Sequence, residues 1–300
     1  MKQFYSNGKL LLTGEYLVLD GAKALAIPTS YGQSMTVAKT ADRLLHWKSI
    51  DHQGNTWFEG VYDHTKGSFH QKNKVSDTLA KLIREAQGLN PDFLMEDHGY
   101  EVVTTLNFPN DWGLGSSSTL INNLAQWAQV DAYALLWNAF TGSGYDIACA
   151  QHDSPLVYWL EDGKPNVKTI ALDLPFKSAL YFVHLNQKQN SREAIAHYRS
   201  LEKEHLLDAI EQIDVISQNL LIGNDLPDFE ILLDNHEAVM SNLLGLQMVK
   251  ERLFPDFPGS IKSLGAWGGD FVLATGESTP NYFKEKGFTT IIPFHEMILQ

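Results

Sequence analysis

The sequence predicts an α+β fold. Two observations carry this expectation. Its strands look antiparallel, being short and joined by tight turns, and its helices gather in clusters instead of alternating one for one with strands.

In chain order, residues 9–19 read as a strand, a Gly14-Glu15 break and a second strand rich in Leu and Val, closed by the turn signal Asp20-Gly21. Ala24–Ile27 and Ser34–Ala38 read as further strands, separated by Pro28–Gly32. Residues 43–60 form a polar hairpin with turn residues at Asp51–Asn55, and 62–73 an exposed loop. Val75, Leu79, Leu82 and Ile83 mark a helix closed by Gly88 and Pro91. Tyr100–Leu106 alternates as a strand. A helix follows in which Leu120, Ile121, Leu124, Ala125 and Ala128 share a face, and another lies near Tyr133–Phe140. Thr141–Asp146 is a turn, and Ile147–Gln151 starts a further helix. Strands at Leu156–Leu160 and Val167–Leu172 flank Asp162-Gly163. Residues 173–178 suit a boundary. Beyond them come a strand at Leu180–Leu185, helices at 191–205, 206–222 and 227–244, strands at Ser260–Leu264 and Phe271–Ala274 around the glycine loop Gly265–Gly269, and a last strand near Thr289–Ile292.

Three hundred residues suit one large domain or two ordinary ones, and a core that needs no staples. Hydrophobic content of 44% and charged content of 20% are those of a globular protein. Lys+Arg 23 against Asp+Glu 36 gives a net charge of −13, which argues against a general nucleic-acid or anionic-membrane surface. A local basic site for a small anion is still allowed. The single Cys149 excludes an internal disulfide and a CxxC metal site, and fits a reducing compartment. No apolar run approaches the ~18 residues of a membrane span, and the N-terminus does not read as a signal peptide, so a cytoplasmic protein is expected.

Chemistry concentrates in Pro109-Asn110-Asp111-Trp112-Gly113-Leu114-Gly115-Ser116-Ser117-Ser118, a small-residue loop that runs into an amphipathic helix. Glycine brings backbone close to a ligand, and a helix N-terminus offers unpaired amides and partial positive charge. Loop and helix make an anion seat suited to phosphate. The segment lacks the Lys of GxxxxGK[ST] and the third Gly of GxGxxG. A plain serine-rich N-cap on a core helix accounts for it equally well. The eleven His form no HExxH-type pair.

Taken together, Gly8-Lys9 through Gly14-Glu15-Tyr16, the loop Pro109–Ser118, Ser143-Gly144-Tyr145-Asp146 and the glycine loop Gly265–Gly269 resemble the GHMP kinase superfamily of galactokinase, homoserine, mevalonate and phosphomevalonate kinases. The order and spacing run over nearly the whole chain. The phosphate loop is the most specific match, and Gly144–Ala148 resembles a bacterial mevalonate-kinase-like subgroup with a Gly-Tyr-Asp-Ile-Ala segment. The resemblance implies a two-domain fold. Residues 1–175 would form the ATP-binding domain with a left-handed βαβ unit, and 176–300 a ferredoxin-like domain.

The resemblance also implies roles. Gly113, Leu114, Gly115, Ser116, Ser117 and Ser118 would hold the ATP phosphates, with the Ser117 hydroxyl on Mg²⁺. Asp146 would take the acceptor proton, and Lys9 would stand beside it. Glu15, Tyr16, Ser143, Gly144, Gly268 and Gly269 would bind substrate. The implied cofactors are ATP and Mg²⁺, the partner a small-molecule acceptor, with no nucleic acid and no membrane. Positioning and charge stabilisation do most of the work in such phosphoryl transfer. A weakly catalytic or non-catalytic nucleotide- or metabolite-binding protein of the same fold is the alternative. A serine hydrolase using Ser143 fits poorly, since Gly142-Ser143-Gly144 is no GxSxG elbow.

The chain departs from the family pattern in places. Tyr16 stands where mevalonate kinases carry His. The position of the family's metal-binding Glu falls at Leu135, which leaves Asp131, Asp111 and Glu15 as nearby carboxylates. Trp112 and Trp267 enter the two glycine loops, where each would either reshape a pocket or pack its loop on the core. Ser191 and Arg192 open a helix and suit an N-cap with a solvated Arg better than an anion contact.

Overall fold

The computed structural model describes residues 1–187, 191–201, 206–223, 225–265, 267 and 269–299, with the side chains of Ser191 and Arg192 outside the description. These residues fall into two compact units. One comprises Met1–Gly8, Tyr31–Asn110 and Leu114–Gln151, the other Lys9–Ser30, Asp111–Gly113 and His152–Gln300. Residues 173–178 therefore lie inside the second unit.

In the first unit, strands β1 (Lys2–Leu11) and β2 (Ala24–Thr40) contribute residues 2–8 and 31–40. The expected hairpin is β3 (Leu45–Ile50) and β4 (Thr56–Asp63), and its turn is tied by the Asp51 carboxylate, which accepts from the Gln53 and Asn55 amides. Then come β5 (Ser68–Phe69), α1 (Lys74–Leu89), β6 (Gly99–Leu106), α2 (Ser116–Ala128), α3 (Ala132–Ala139) and α4 (Tyr145–Gln151). The strand order is β5-β4-β3-β6-β2. Only β3 and β6 run parallel within it, the pair that has α1 in its connection. Helix α1 opens on a capping box in which Asn73 accepts from the Val75 and Ser76 amides while the Ser76 hydroxyl accepts from Asn73 N. Its apolar face (Leu79, Leu82, Ile83) joins Ile121 and Leu124 of α2 and Leu135 and Leu136 of α3 over Val37, Trp47 and Val102. Each such side chain contributes about 1.5–3 kcal/mol on burial.

In the second unit, β7 (Leu156–Glu161) pairs with Ala24–Ala26 of β2 and with β8 (Lys164–Thr169). Asp162 and Gly163 both take positive φ in the β7–β8 turn, as a two-residue hairpin requires. β2 is one strand of 17 residues where the sequence suggests two. Pro28, which cannot donate, falls between the residues that pair with β7 and those that pair with β6, so its missing N–H breaks neither ladder. Leu17–Asp20, expected as a strand, is a short 3₁₀ turn.

The rest of this unit is β9 (Leu180–His184), α5 (Ser191–Ser200), α6 (Leu206–Leu220), α7 (Leu226–Leu244), α8 (Val249–Leu253), β10 (Ile261–Ser263), β11 (Phe271–Thr275), α9 (Thr279–Glu285), β12 (Ile291–Pro293) and α10 (Phe294–Met297). Its sheet is antiparallel throughout in the order β10-β11-β9-β12. A β-α-β-β-α-β chain in that order is the expected ferredoxin-like arrangement. Helices α8, α9 and α10 are too short to show periodicity in the sequence. Among the described residues no helix is long and apolar enough to cross a membrane.

Candidate active site

The phosphate-type loop leaves β6 after Leu106 and enters α2 at Ser116. Gly113 (φ 68°) and Gly115 (φ 87°) both lie in the left-handed region, where a residue with a Cβ pays about 1–2 kcal/mol. Gly115 is the N-cap, so no side chain caps the helix, and a serine cap is not what these residues form. The Thr119 amide is the one that bonds back to Gly115 O, at 3.0 Å. The amides of Ser116, Ser117 and Ser118 thus precede the first helical bond and point out of the positive end of α2.

The three serines differ. Ser118 is buried and its hydroxyl donates to Gly115 O at 2.8 Å. Ser116 donates to Asn110 Oδ1 at 2.8 Å. Ser117 is exposed. Below them, Thr119 Oγ1 donates to Gln33 Oε1 at 3.1 Å and fixes the first turn of α2 to β2.

Gly113 has a second reason to be glycine. A Cβ there would lie 2.3 Å from Asp270 Oδ2 and 2.5 Å from its Cγ. Asp270 ends the second glycine loop and is buried. Next to it the Trp112 ring meets Phe271 edge-on at 5.5 Å and His184 at 6.2 Å. Trp112 therefore packs its loop against the ends of β9 and β11.

Asp146 lies in the first turn of α4 and is half-buried, its Oδ1 accepting from Ile147 N at 3.1 Å. Gly144 (φ 91°) makes the turn before it, and Ser143 is buried. Tyr133 of α3 faces the same ground. Its phenol is pushed above its ordinary value by burial first, then by Cys149, Asp146 and Asp131. Lys9, half-buried on β1, belongs to the second unit, and Asp146 to the first.

Glu15 corrects an expectation. Its side chain is wholly enclosed, with Oε1 accepting from Lys262 Nζ at 2.6 Å and Oε2 3.3 Å from His236 Nε2. Such a carboxylate is open to neither substrate nor metal. Asp131 is also taken, since it caps α3 through Ala134 N at 2.7 Å. Leu135 is fully buried in the core. Tyr16 is nearly enclosed, with its ring stacked on Tyr198 at 5.5 Å.

Lys262 also approaches Glu237 Oε1 at 3.3 Å, and Glu237 accepts from Ser263 Oγ at 2.8 Å and Trp267 Nε1 at 3.1 Å. Trp267 is buried with φ 49°, an unusual backbone for a tryptophan, and its indole bond anchors the glycine loop to α7. Gly269 is buried beside it, and Gly268 lies outside the described residues. Burial, partly offset by Lys262, pushes the Glu15 carboxyl up to about 7. Burial and the Lys262 charge hold His236 well below its ordinary value.

Lys262, His236, Glu237 and Asp270 carry the polar chemistry of this unit and are absent from the sequence reading. One signal was available. His236 and Glu237 sit on the buried stripe of α7 (Phe229, Leu233, Met240, Leu244), where ionisable residues are out of place.

No family model and no curated protein matches the chain in sequence. Solved structures do match. A mevalonate kinase crystal structure superposes with a TM-score of 0.71 at 13% identity, covering 100% of both chains. The phosphomevalonate kinase of Streptococcus pneumoniae, solved with phosphomevalonate and AMPPNP, gives 0.73 at 16% identity, covering 97% of this chain and 99% of that one. The galactokinase of Lactococcus lactis, solved with galactose, gives 0.72 at 13% identity over 99% and 93%. The fold is that of the GHMP kinases. Among the similar structures are a mevalonate kinase, a phosphomevalonate kinase, a galactokinase and a D-glycero-D-manno-heptose 1-phosphate kinase.

The donor set at the N-terminus of α2 suits phosphate: the left-handed Gly115, the open amides of Ser116–Ser118 and the exposed Ser117 hydroxyl. For Mg²⁺ it is thinner. Among the described residues no group of three or more His, Cys, Asp or Glu is placed to hold a metal ion. A magnesium ion would rest on the Ser117 hydroxyl and on oxygens of the nucleotide itself.

Proposed function

We propose that this protein is an ATP-dependent small-molecule kinase that transfers the γ-phosphoryl group to a hydroxyl, or to a phosphate, of a small metabolite. A mevalonate-like acceptor heads the candidates, with the Gly144–Ala148 segment marking a bacterial subgroup. The observation that carries this reading is the N-terminus of α2, an uncapped helix end reached through Gly113 and Gly115 with the Ser117 hydroxyl exposed beside it. Its support is that the chain folds as kinases fold.

Each residue has a part in this reading. The amides of Gly113–Ser118 hold the phosphates and keep them from rotating. The Ser117 hydroxyl would hold Mg²⁺, which would neutralise phosphate charge. Asp146 accepts the proton of the acceptor hydroxyl as the new O–P bond forms, and Lys9 offsets the charge that builds on the transferred group. Ser143, Gly144, Gly268 and Gly269 are the acceptor-binding residues of this reading. Glu15 has no part at the acceptor, and Tyr16 contributes at most an edge.

One observation favours a second reading, a nucleotide- or metabolite-binding protein with little turnover. Two of the three carboxylates that could replace the family's metal-binding Glu are engaged elsewhere, Glu15 with Lys262 and Asp131 with the Ala134 amide. An acceptor screen with Mg-ATP that follows ADP release separates the two. Turnover with at least one acceptor, lost in Asp146→Asn, supports the kinase. Thermal stabilisation by Mg-ATP without turnover for any acceptor supports the binder, and no stabilisation by any Mg-nucleotide overturns both.

A further inference from the structure

The cluster of Glu15, His236, Glu237 and Lys262 lies wholly within the second unit and has no role in the proposed chemistry. Each of its side chains is 2% exposed or less. Two carboxylates against one ammonium would leave a net negative charge in an enclosed site, a severe penalty in a low-dielectric interior.

The contacts say where a proton removes that charge. The Gly14 N–H points at His236 Nε2 at 3.2 Å, so this nitrogen presents its lone pair and carries no hydrogen. Glu15 Oε2 stands 3.3 Å from the same nitrogen and, among the described residues, has no hydrogen-bond partner. An ionised Glu15 would set lone pair against lone pair. A protonated one removes that repulsion and leaves Oε1 free to accept from Lys262. Glu237 accepts from Ser263 Oγ and Trp267 Nε1 and lies 3.3 Å from the Lys262 ammonium, so both of its oxygens face donors.

We propose that folding moves one proton from His236 to Glu15, so that the cluster carries no net charge: a Glu15 carboxylic acid set against the neutral His236 ring, beside a Lys262–Glu237 ion pair. The proton balance is complete, since the proton an unfolded imidazole binds is the one the folded carboxyl keeps. The groups that face Glu15 are His236 and Glu237 from α7, Lys262 from β10 and the Gly14 amide. The directions of titration agree, with Glu15 raised to about 7 and His236 held well below its ordinary value, both chiefly by burial. The acid joins the Gly14-Glu15 turn to α7 and, through Glu237 and Trp267, to the glycine loop. It rests on no assumption about the reaction.

The test uses folding, not activity. Between the ordinary carboxylate and imidazole values, unfolded and folded chains each hold one proton on this pair, so its contribution is flat with pH. Each single variant unmasks one half. A raised Glu15 alone loses stability as pH rises, and a depressed His236 alone loses stability as pH falls. Urea unfolding of wild type, Glu15→Gln and His236→Gln is compared between about pH 5 and 7. Relative to wild type, the folded-to-unfolded ratio of Glu15→Gln rises with pH by up to about tenfold per unit, and that of His236→Gln falls. Parallel profiles for all three overturn the proposal. Should either variant fail to fold, the intact protein decides by infrared spectroscopy in D₂O. A carboxylic-acid C=O band that persists at pH 6 and disappears above pH 8 upholds the acid, and its absence at pH 6 overturns it.

Discussion

The carboxylate of Asp270 occupies the place where a side chain on Gly113 would begin, with Oδ2 2.3 Å from the ideal Cβ position. The second glycine loop thereby fixes the backbone of the first. Gly113→Ala meets two costs, the clash and the positive φ. Urea unfolding should show a loss of about 2–4 kcal/mol. In Gly113→Ala with Asp270→Gly, part of that loss returns, because the two sites share one contact. Strict additivity would mean that Asp270 does not set the loop.

Ser117 and Ser118 are neighbours with opposite fates. Ser118→Ala removes a buried hydroxyl bonded to Gly115 O and should cost about 1 kcal/mol in the free protein. Ser117→Ala, at an exposed position, should leave unfolding of the free protein within about 0.5 kcal/mol of wild type. In the kinase reading, the Ser117 variant loses the thermal stabilisation given by Mg-ATP while Ser118→Ala keeps it. Melting curves with and without Mg-ATP compare the four cases.

Trp267 holds its loop through one hydrogen bond. Trp267→Phe keeps most of the apolar volume and removes the donor to Glu237, leaving a buried carboxylate short of a partner. The expected loss is about 1–3 kcal/mol, read from chemical unfolding.

Lys262→Met strips the cation from between Glu15 and Glu237. Breaking a buried pair typically costs about 3–5 kcal/mol. The sign with pH is definite. Lys262 lowers the Glu15 carboxyl from where burial alone would put it, so removal raises it further. A raised carboxyl loses its contribution as pH rises, and the variant should weaken more steeply than wild type between about pH 6 and 8. Unfolding midpoints across that range check it.

Sequence periodicity located most of the strands and the longer helices because each shows its partner face in a repeating pattern. Leu120, Ile121 and Leu124 announce α2, and Phe229, Leu233 and Met240 announce α7. It could not show that Ala24–Thr40 is one strand, since Pro28 reads as a break until its two ladders are known. The phosphate-type loop was legible because its chemistry is local, glycine beside glycine beside serine. The ion cluster was not, because Glu15 and Lys262 meet across 247 positions of chain. No spacing rule brings such residues together. Only β10 and α7 closing over the Gly14-Glu15 turn does so.

The chain's one thiol, Cys149, sits three residues beyond Asp146 on the same short helix, with no exposed surface. A thiol reagent therefore has no background sites to consume it and can react only when α4 opens. Labelling kinetics make Cys149 an intrinsic clock for the helix that bears the candidate base, and any small molecule that settles on Asp146 will slow it.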